Sequence, residues 1–118
     1  MSVMHTLFHI TSKVEQEVAE RQGWYEPVAF PKEQFIHCAF LHQVEGVGQR
    51  YYKGQSGLVL LEIDPLKLDC EVIEENLFGG EELFPHVYGR LPWNAIKKIH
   101  EFSPSDDGTF LLPSTIVQ

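Results

Sequence analysis

The sequence predicts a single domain of the α+β class, and three observations lead to that prediction. Its 118 residues, of which 43% are hydrophobic and 22% charged, match one globular domain. Two segments in the first half, residues 12–23 and 41–52, carry helical signals. The other apolar runs are short and strand-like, so the expected order is strand, helix, strand, helix and then mostly strands.

The first strand and the first helix have clear boundary signals. Residues 7–10 form a short apolar run that predicts a strand. Ser12 begins a capping box, in which Glu15 is expected to reach back to the start of a helix that runs to Gln22. Gly23 then suits the left-handed conformation that ends a helix.

The next segment is predicted to be irregular, before a second strand and a second helix. Pro27 and Pro31 disfavour helix at their own positions and at the preceding ones, and residues 35–39 resume a strand. The apolar residues that follow recur at intervals of three and four, which is helical spacing: Leu41, Val44, Val47 and Tyr51. Gly46 and Gly48 lower the helix propensity of this segment.

The second half of the chain is predicted to consist mainly of strands. Residues 57–64 are a continuous apolar run that ends at Asp64 and Pro65, which is typical of a strand buried on both faces at the centre of a sheet. Residues 70–74 alternate in part and predict a less buried neighbour.

A loop at Gly79–Gly80 precedes a predicted strand over residues 83–88, in which Pro85 indicates an edge strand or a bulge. The remaining segments are predicted as a helical turn at 91–95, a strand at 96–102 and a docked or mobile tail at 103–118.

Charge and hydropathy exclude several classes of function. Nine basic against seventeen acidic residues leave a net charge of −8, which works against binding the backbone of DNA or RNA. No apolar stretch approaches the ~18 residues of a membrane span, and the first residues lack the layout of a signal peptide, so we expect a cytoplasmic protein. Cys38 and Cys70 form no CxxC pair and are expected to be free thiols.

Most of the negative charge lies in one segment. Between Glu62 and Glu82, eight acidic residues stand against Lys67 alone, which gives a local net charge of −7. A solvated face that keeps the protein soluble accounts for such a segment. It would also be the contact surface if the chain were an interaction module for a basic partner.

Three histidines, His9, His37 and His86, lie inside short apolar runs where a core would normally place a hydrophobic residue. On an extended strand, each shares a face with apolar neighbours, as His86 does with Phe84 and Tyr88. A single buried histidine is usually a core residue bonded to the backbone. Three of them on neighbouring strands could instead converge on one cleft and act near neutral pH.

Metal binding and thiol chemistry are alternatives for these residues. His9, His37, His42, His86 and Cys38 supply enough donors for a zinc ion, but their spacings match no short metal-binding motif, so no metal ligands are assigned. A Cys38 nucleophile would need a base from another strand, because the neighbouring His37 points to the opposite face.

Several segments resemble a small bacterial family known as domain of unknown function nine-fifty-two. They are Phe8–Thr11, Phe35–Ala39, His42–Val44, Leu60–Asp64 and Phe84–Gly89. The segments are spread over nearly the whole chain, and the family implies no established activity.

A more distant similarity concerns residues 8–12, Phe-His-Ile-Thr-Ser, which resemble the Tyr-His-Gly-Thr-Ser strand that opens ADP-ribosyltransferases and RNA 2′-phosphotransferases. This resemblance implies a split, mostly antiparallel sheet flanked by two helices, and NAD or a related nucleotide as ligand. It also implies that His9 holds a ribose hydroxyl. Ile10 stands where those enzymes carry a glycine that lets the cofactor approach closely.

The same resemblance implies further roles. An aromatic ring, from Tyr51 or Tyr52, would stack on the nicotinamide, and an acid, Glu74 or Glu75, would stabilise an oxocarbenium-like transition state. Arg90 follows the strand of His86 and is the arginine nearest in sequence to such a site, where it could clamp a phosphate.

We therefore expect a cleft lined by His9, His37 and His86 that binds a nucleotide-like or ribose-bearing small molecule and could support transferase chemistry. His37 or His86 would supply acid–base function. The candidate ligand contacts are Thr11, Tyr51, Tyr52, Glu74, Tyr88 and Arg90. The alternative is a non-catalytic interaction module, with structural histidines and the acidic segment as its contact surface.

Overall fold

The apolar run that follows Gly57 forms the central strand of the fold. The computed structural model describes residues 5–76 and 80–116. Its helices are α1 (Lys13–Gln22), α2 (Phe30–Glu33) and α3 (Val44–Tyr51). Its strands are β1 (Leu7–Ser12), β2 (Trp24–Tyr25), β3 (Ile36–His37), β4 (Leu58–Ile63), β5 (Val72–Glu75), β6 (Phe84–Val87), β7 (Leu91–Pro92) and β8 (Ile96–Glu101). Short 3₁₀ turns occur at Leu41–Gln43, Pro65–Lys67 and Trp93–Ala95.

Antiparallel pairing joins these strands into two three-stranded sheets and a short ribbon. One sheet has the order β1-β4-β8, the other has the order β3-β6-β5, and β2 pairs with β7. Two backbone hydrogen bonds of 2.8 Å between Phe8 and Ala39 connect the edge of β1 to the segment after β3. The fold is therefore α+β with mostly antiparallel sheets, as predicted, and the sheets separate beyond this single bridge.

Apolar side chains cover both faces of β4. Leu61 and its alternate neighbours pack in a cluster with Tyr25 and Ile36 on one face, whereas Leu60 packs with Phe102 and Phe110 on the other. Both Leu60 and Leu61 are fully buried. The prediction of a central strand buried on both sides is confirmed, because an uninterrupted apolar run has no polar face to turn toward water.

Helix α1 begins and ends where the sequence predicts, but one half of its expected capping box is different. The Ser12 side chain accepts a hydrogen bond of 3.1 Å from the Glu15 backbone N–H, and Gly23 adopts a φ of 93° at the helix end. The Glu15 carboxylate accepts instead from the hydroxyl of Thr11. Glu15 is thereby directed toward β1.

Residues 24–34 are more regular than predicted. Trp24 and Tyr25 form β2 against β7, and α2 makes one helical turn. Pro31 lies in the first turn of α2, where the missing N–H has no intrahelical partner to lose. The sequence rule that proline disfavours helix does not apply at that position.

Strand β6 lies in the middle of its sheet, whereas Pro85 predicted an edge strand or a bulge. The Pro85 carbonyl accepts from the Cys38 N–H at 3.1 Å, but the ring has no N–H to return. As a result, β3 pairs with β6 only at Ile36 and His37. The proline is tolerated because it lies where this short ladder ends. The predicted Gly79–Gly80 loop falls partly outside the described residues.

The segment after β8 packs on α3. Phe110 is fully buried and stacks on Phe102, with ring centroids 4.9 Å apart. Gly48 permits this contact, because a Cβ at that position would lie 2.9 Å from Cβ and Cγ of Phe110. Gly48 lowers the helix propensity of α3, but the close packing of Phe110 on this helix requires it.

Gly48→Ala is expected to destabilise the protein by about 1–3 kcal/mol, because the added Cβ would overlap the buried stem of Phe110. Gly46→Ala in the same helix is a matched control. Its Cβ would approach only Nη2 of Arg50, at 3.3 Å, and the end of that exposed side chain can move. Alanine should therefore stabilise this position by about 0.5–1 kcal/mol. Urea unfolding of both variants measures the difference, and equal effects would contradict the packing argument.

Within residues 5–76 and 80–116, no helix has the length and apolar character needed to cross a membrane.

Candidate functional site

A cavity of about 640 Å³ opens where the two sheets separate. Beyond the Phe8–Ala39 bridge, the outer edge of β1 has no strand neighbour among the described residues. Because Phe8 directs its backbone groups to Ala39, the alternation of an antiparallel strand directs the N–H and C=O of Ile10 toward the same open edge. The cavity wall therefore includes a strand edge with an available donor and acceptor.

The structure brings His9, His37 and His86 to this cavity, and all three are among its lining residues. His37 and His86 are direct partners across the β3–β6 pair, so their side chains lie on the same face. Their ring centroids are 5.2 Å apart, with the planes at 77°. His9 joins them from β1, on the other side of the split.

Glu75 holds the imidazole of His86. The Nδ1 of His86 lies 2.9 Å from Oε2 of Glu75, and the hydroxyl of Tyr88 donates to the same oxygen. These bonds, first that from Tyr88 and then that from His86, lower the pKa of the Glu75 carboxyl. Phe35 stacks on the His86 ring at a centroid distance of 4.3 Å. With Nδ1 engaged by Glu75, Nε2 is the ring nitrogen that His86 can offer to a ligand.

His37 is the most accessible of the three histidines. Its side chain is 42% exposed, and its Nε2 lies 3.3 Å from Oε1 of Glu33 at the end of α2. Glu33 also lines the cavity. A carboxylate beside each of the two facing imidazoles fixes the orientation of its ring.

His9 is buried and fully engaged inside the protein. Its Nδ1 donates to the backbone carbonyl of His37 at 2.5 Å, and its Nε2 lies 2.8 Å from the hydroxyl of Tyr25. Burial lowers the pKa of His9 from 6.5 to about 4. A ligand hydroxyl could bond to His9 only by displacing Tyr25 or the His37 carbonyl. The ribose-holding role implied by the sequence resemblance therefore has no free ring nitrogen to perform it.

A chain of hydrogen bonds continues from His9 to α1. The Tyr25 hydroxyl lies 3.0 Å from Oγ1 of Thr11, and the Thr11 hydroxyl donates to Glu15. Tyr25 has one hydrogen to share between His9 and Thr11, so the hydroxyl orientations along the chain are coupled. Burial is the main cause of the raised pKa of Tyr25, and it keeps the phenol neutral.

The rest of the cavity wall is mostly apolar, with two tyrosines at one side. Its aliphatic and aromatic lining residues include Phe8, Ile10, Val44, Val47, Leu58 and Leu60. Tyr51 is 60% exposed, and Tyr52 is half-buried, with a pKa that burial raises. Cys38 also lines the cavity, but burial raises the pKa of its thiol well above the ordinary value. This environment disfavours the thiolate that a nucleophilic cysteine requires.

The structure places three predicted ligand contacts, Glu74, Tyr88 and Arg90, away from the cavity lining. Glu74 faces a second depression beside His5 and Lys97, while the neighbouring Glu75 contacts His86. Tyr88 acts behind His86, through Glu75. Glu74 and Glu75 are neighbours on β5 and therefore point to opposite faces. Tyr88 is separated from His86 by the Glu75 carboxylate.

Arg90 is occupied elsewhere. Its guanidinium lies 4.0 Å above the ring of Trp24, and its Nε lies 3.7 Å from Oε2 of Glu26. The cation–π contact directs the guanidinium of Arg90 to β2, and Arg90 is not among the residues that line the cavity.

The candidate contacts predicted from the sequence do not include Tyr25, Glu15 and Glu33, which all line the cavity. Tyr25 lies 16 positions from His9, and nothing local to either residue signals their contact. Glu33 and His37 are four positions apart. Glu33 ends α2 and His37 lies in β3, so helical spacing does not account for their contact. The capping-box pattern of Ser12 and Glu15 does not indicate the contact between Glu15 and Thr11.

The lining does not fit the pyrophosphate of NAD in the way the resemblance implies. None of the nine lysines and arginines of the sequence, all of which lie in the described residues, lines the cavity. Pyrophosphate recognition normally uses such cations or a helix N-terminus. The N-terminus of α1 reaches the lining at Ser12, but the N–H groups of Lys13 and Glu15 are bonded to Gly57 and Ser12, and the Glu15 carboxylate also lines the cavity there. Within residues 5–76 and 80–116, no group of three or more His, Cys, Asp or Glu has the geometry to hold a metal ion.

One comparison with known proteins gives a family, and another gives a fold. A profile of the family described as "Protein of unknown function (DUF952)" matches residues 10–99. The crystal structure of protein CC0527 from Caulobacter crescentus is 28% identical, covers 91% of this chain and 94% of its own, and superposes with a TM-score of 0.78. The solution NMR structure of the same protein is 27% identical over 88% of this chain and 90% of that chain, with a TM-score of 0.77. A search of curated proteins found no match.

Proposed function

We propose that this chain, which belongs to the DUF952 family of proteins of unknown function, binds a nucleotide-like or ribose-bearing small molecule in the cavity at the split of its sheets. The observation that carries the proposal is the convergence of His37 and His86, each beside a carboxylate, on one apolar cavity. Small-molecule sites usually have mostly apolar walls, with a few polar groups that converge on the ligand.

The size and lining of the cavity support a ligand with one flat and one hydroxylated part. A volume of about 640 Å³ lies within the range of sites for such molecules. Tyr51 and Tyr52 offer ring faces on which a base could stack. The open edge at Ile10 offers one backbone donor beside one acceptor, a pattern that matches the edge of a nucleobase or a carboxamide.

The two facing imidazoles suit a ligand with hydroxyl groups. Neutral imidazole accepts a hydrogen bond from a hydroxyl, and protonated imidazole donates one. With centroids 5.2 Å apart, His37 and His86 can contact neighbouring oxygens of a sugar. The likeness of residues 8–12 to the opening strand of ADP-ribosyltransferases also supports a ribose-bearing ligand.

The same pair could perform acid–base chemistry on a bound riboside. In a group transfer, one neutral imidazole would take the proton of the attacking hydroxyl, and the other, protonated, would give a proton to the leaving group. Glu33 and Glu75 would orient the two rings. His9 would act indirectly, because its bonds to the His37 carbonyl and Tyr25 hold β1 against β3.

Thermal unfolding with a panel of ribose-bearing molecules, including adenosine, ADP-ribose and NAD, tests the proposal. A ligand at about one hundred times its dissociation constant should stabilise the folded state by ~2.7 kcal/mol. His37→Gln and Tyr51→Ala should weaken binding, since both side chains are accessible in the lining.

His42→Gln is the matched control, because His42 is exposed and lines the second depression instead. It should bind the same ligand as tightly as the unaltered protein. The proposal would be abandoned if no member of the panel raised the unfolding temperature, or if His42→Gln weakened binding as much as His37→Gln.

A further inference from the structure

We infer that the cavity selects an uncharged nucleoside-like molecule over its phosphorylated forms. This inference rests on the proposed function and narrows it to one class of ligand. Its basis is the charge of the groups in and directly behind the cavity wall.

The charged groups that line the cavity are carboxylates. Glu15 and Glu33 are in the lining, and Glu75 lies directly behind His86. All lysines and arginines of the chain lie outside the lining. A phosphate ester carries one to two negative charges near neutral pH, and its desolvation must be compensated by nearby cations or several donors.

Protonation of the histidines does not reverse this balance. Three imidazoles, those of His9, His37 and His86, stand against three carboxylates. While the carboxylates are ionised, the set is at most neutral, even with every imidazole protonated. Each imidazolium would also be paired, as His37 is with Glu33 and His86 with Glu75. Neither histidine would then present an uncompensated positive charge to a phosphate.

Two arginines lie near the region, but neither is part of the lining. Arg90 stacks on Trp24. The guanidinium carbon of Arg50 lies 5.9 Å from the ring centroid of Tyr51, and the exposed side chain is not part of the lining. A phosphate on a ligand bound between His37 and His86 would therefore face carboxylates. Ribose hydroxyls could instead donate hydrogen bonds to Glu15 and Glu33 and form hydrogen bonds with the imidazoles.

Isothermal titration of the whole chain with four nucleosides and their 5′-monophosphates tests the inference: adenosine, guanosine, cytidine and uridine against AMP, GMP, CMP and UMP. For any nucleoside that binds, the monophosphate should bind at least about tenfold more weakly at low salt. Glu33→Gln should reduce that ratio by strengthening monophosphate binding, because it removes one carboxylate that faces the ligand.

Glu17→Gln is the matched control. It removes the same charge from an exposed position of α1 outside the lining, so the ratio should stay unchanged. A monophosphate that binds as tightly as its nucleoside, or more tightly, would overturn the inference and leave the proposed function in place. If no nucleoside and no monophosphate binds, the inference falls, whereas the proposed function is decided by the full panel of ribose-bearing molecules. A ratio that changes equally in Glu17→Gln and Glu33→Gln would show that net charge, and not the cavity, causes the selection.

Discussion

Phe110→Ala is expected to lower the free energy of unfolding by about 3–5 kcal/mol, the cost of emptying a large aromatic position in a core. The Phe110 side chain is fully buried against Phe102 and Gly48. Its backbone N–H and C=O both bond to the side-chain amide of Gln49, at 3.1 and 2.8 Å. The segment that follows β8 is thus an integral part of the core over α3.

Urea unfolding monitored by circular dichroism measures this loss. Leu111→Ala is the control at the next position, where the side chain is 56% exposed, and its effect should stay within about 0.5 kcal/mol. If Phe110→Ala cost less than about 1 kcal/mol, the segment would not be docked in solution as the structure shows.

The second large effect is a dependence of stability on pH that originates at His9. Burial lowers the pKa of His9 from 6.5 to about 4. Above pH 6.5 the imidazole is neutral in both the folded and the unfolded chain, so His9 adds no pH dependence there. As pH falls from 6.5 toward 4, the unfolded chain binds a proton at His9 and the folded chain does not. Folding stability therefore decreases, by about 2 kcal/mol at pH 5 and about 3 kcal/mol at pH 4.

His9→Asn removes this contribution and should flatten the decrease in stability between about pH 7.5 and about pH 5. The asparagine amide can still donate to the His37 carbonyl, which favours retention of the fold. Leu61→Val, the cross-strand partner of His9, is a control that costs about 1 kcal/mol at both pH values and keeps the slope. An unchanged slope in His9→Asn would show that the imidazole is not buried in a neutral form.

Local sequence signals were sufficient for α1 and β4. The Ser12 cap and the left-handed Gly23 act within one helical turn of the residues they terminate. The uninterrupted apolar run of β4 needs only its own composition to require cover on both faces. The sequence was misleading at two prolines whose missing N–H is tolerated. Pro31 lies in the first turn of α2, and Pro85 lies where the β3–β6 ladder ends.

The site itself was predicted only in part. The apolar neighbours of His37 and His86 indicated their common face, and the β3–β6 register makes them direct partners. Glu74 was chosen over Glu75 without knowledge of the β5 register, and a shift of one residue on a strand reverses the face. Sequence reasoning proposed a ring nitrogen of His9 as a ligand contact, whereas Tyr25 and the His37 carbonyl occupy both nitrogens.

By itself, the sequence determined the class of fold, the central strand, the ends of the first helix and the histidine-bearing runs, because periodicity and capping depend on residues a few positions apart. Only the tertiary structure decided that β1, β3 and β6 meet at one cavity, that Tyr25 engages His9, and that no lysine or arginine of the chain lines the wall. These features depend on contacts such as that of His9 with His37, 28 positions away, which form only when the sheets assemble.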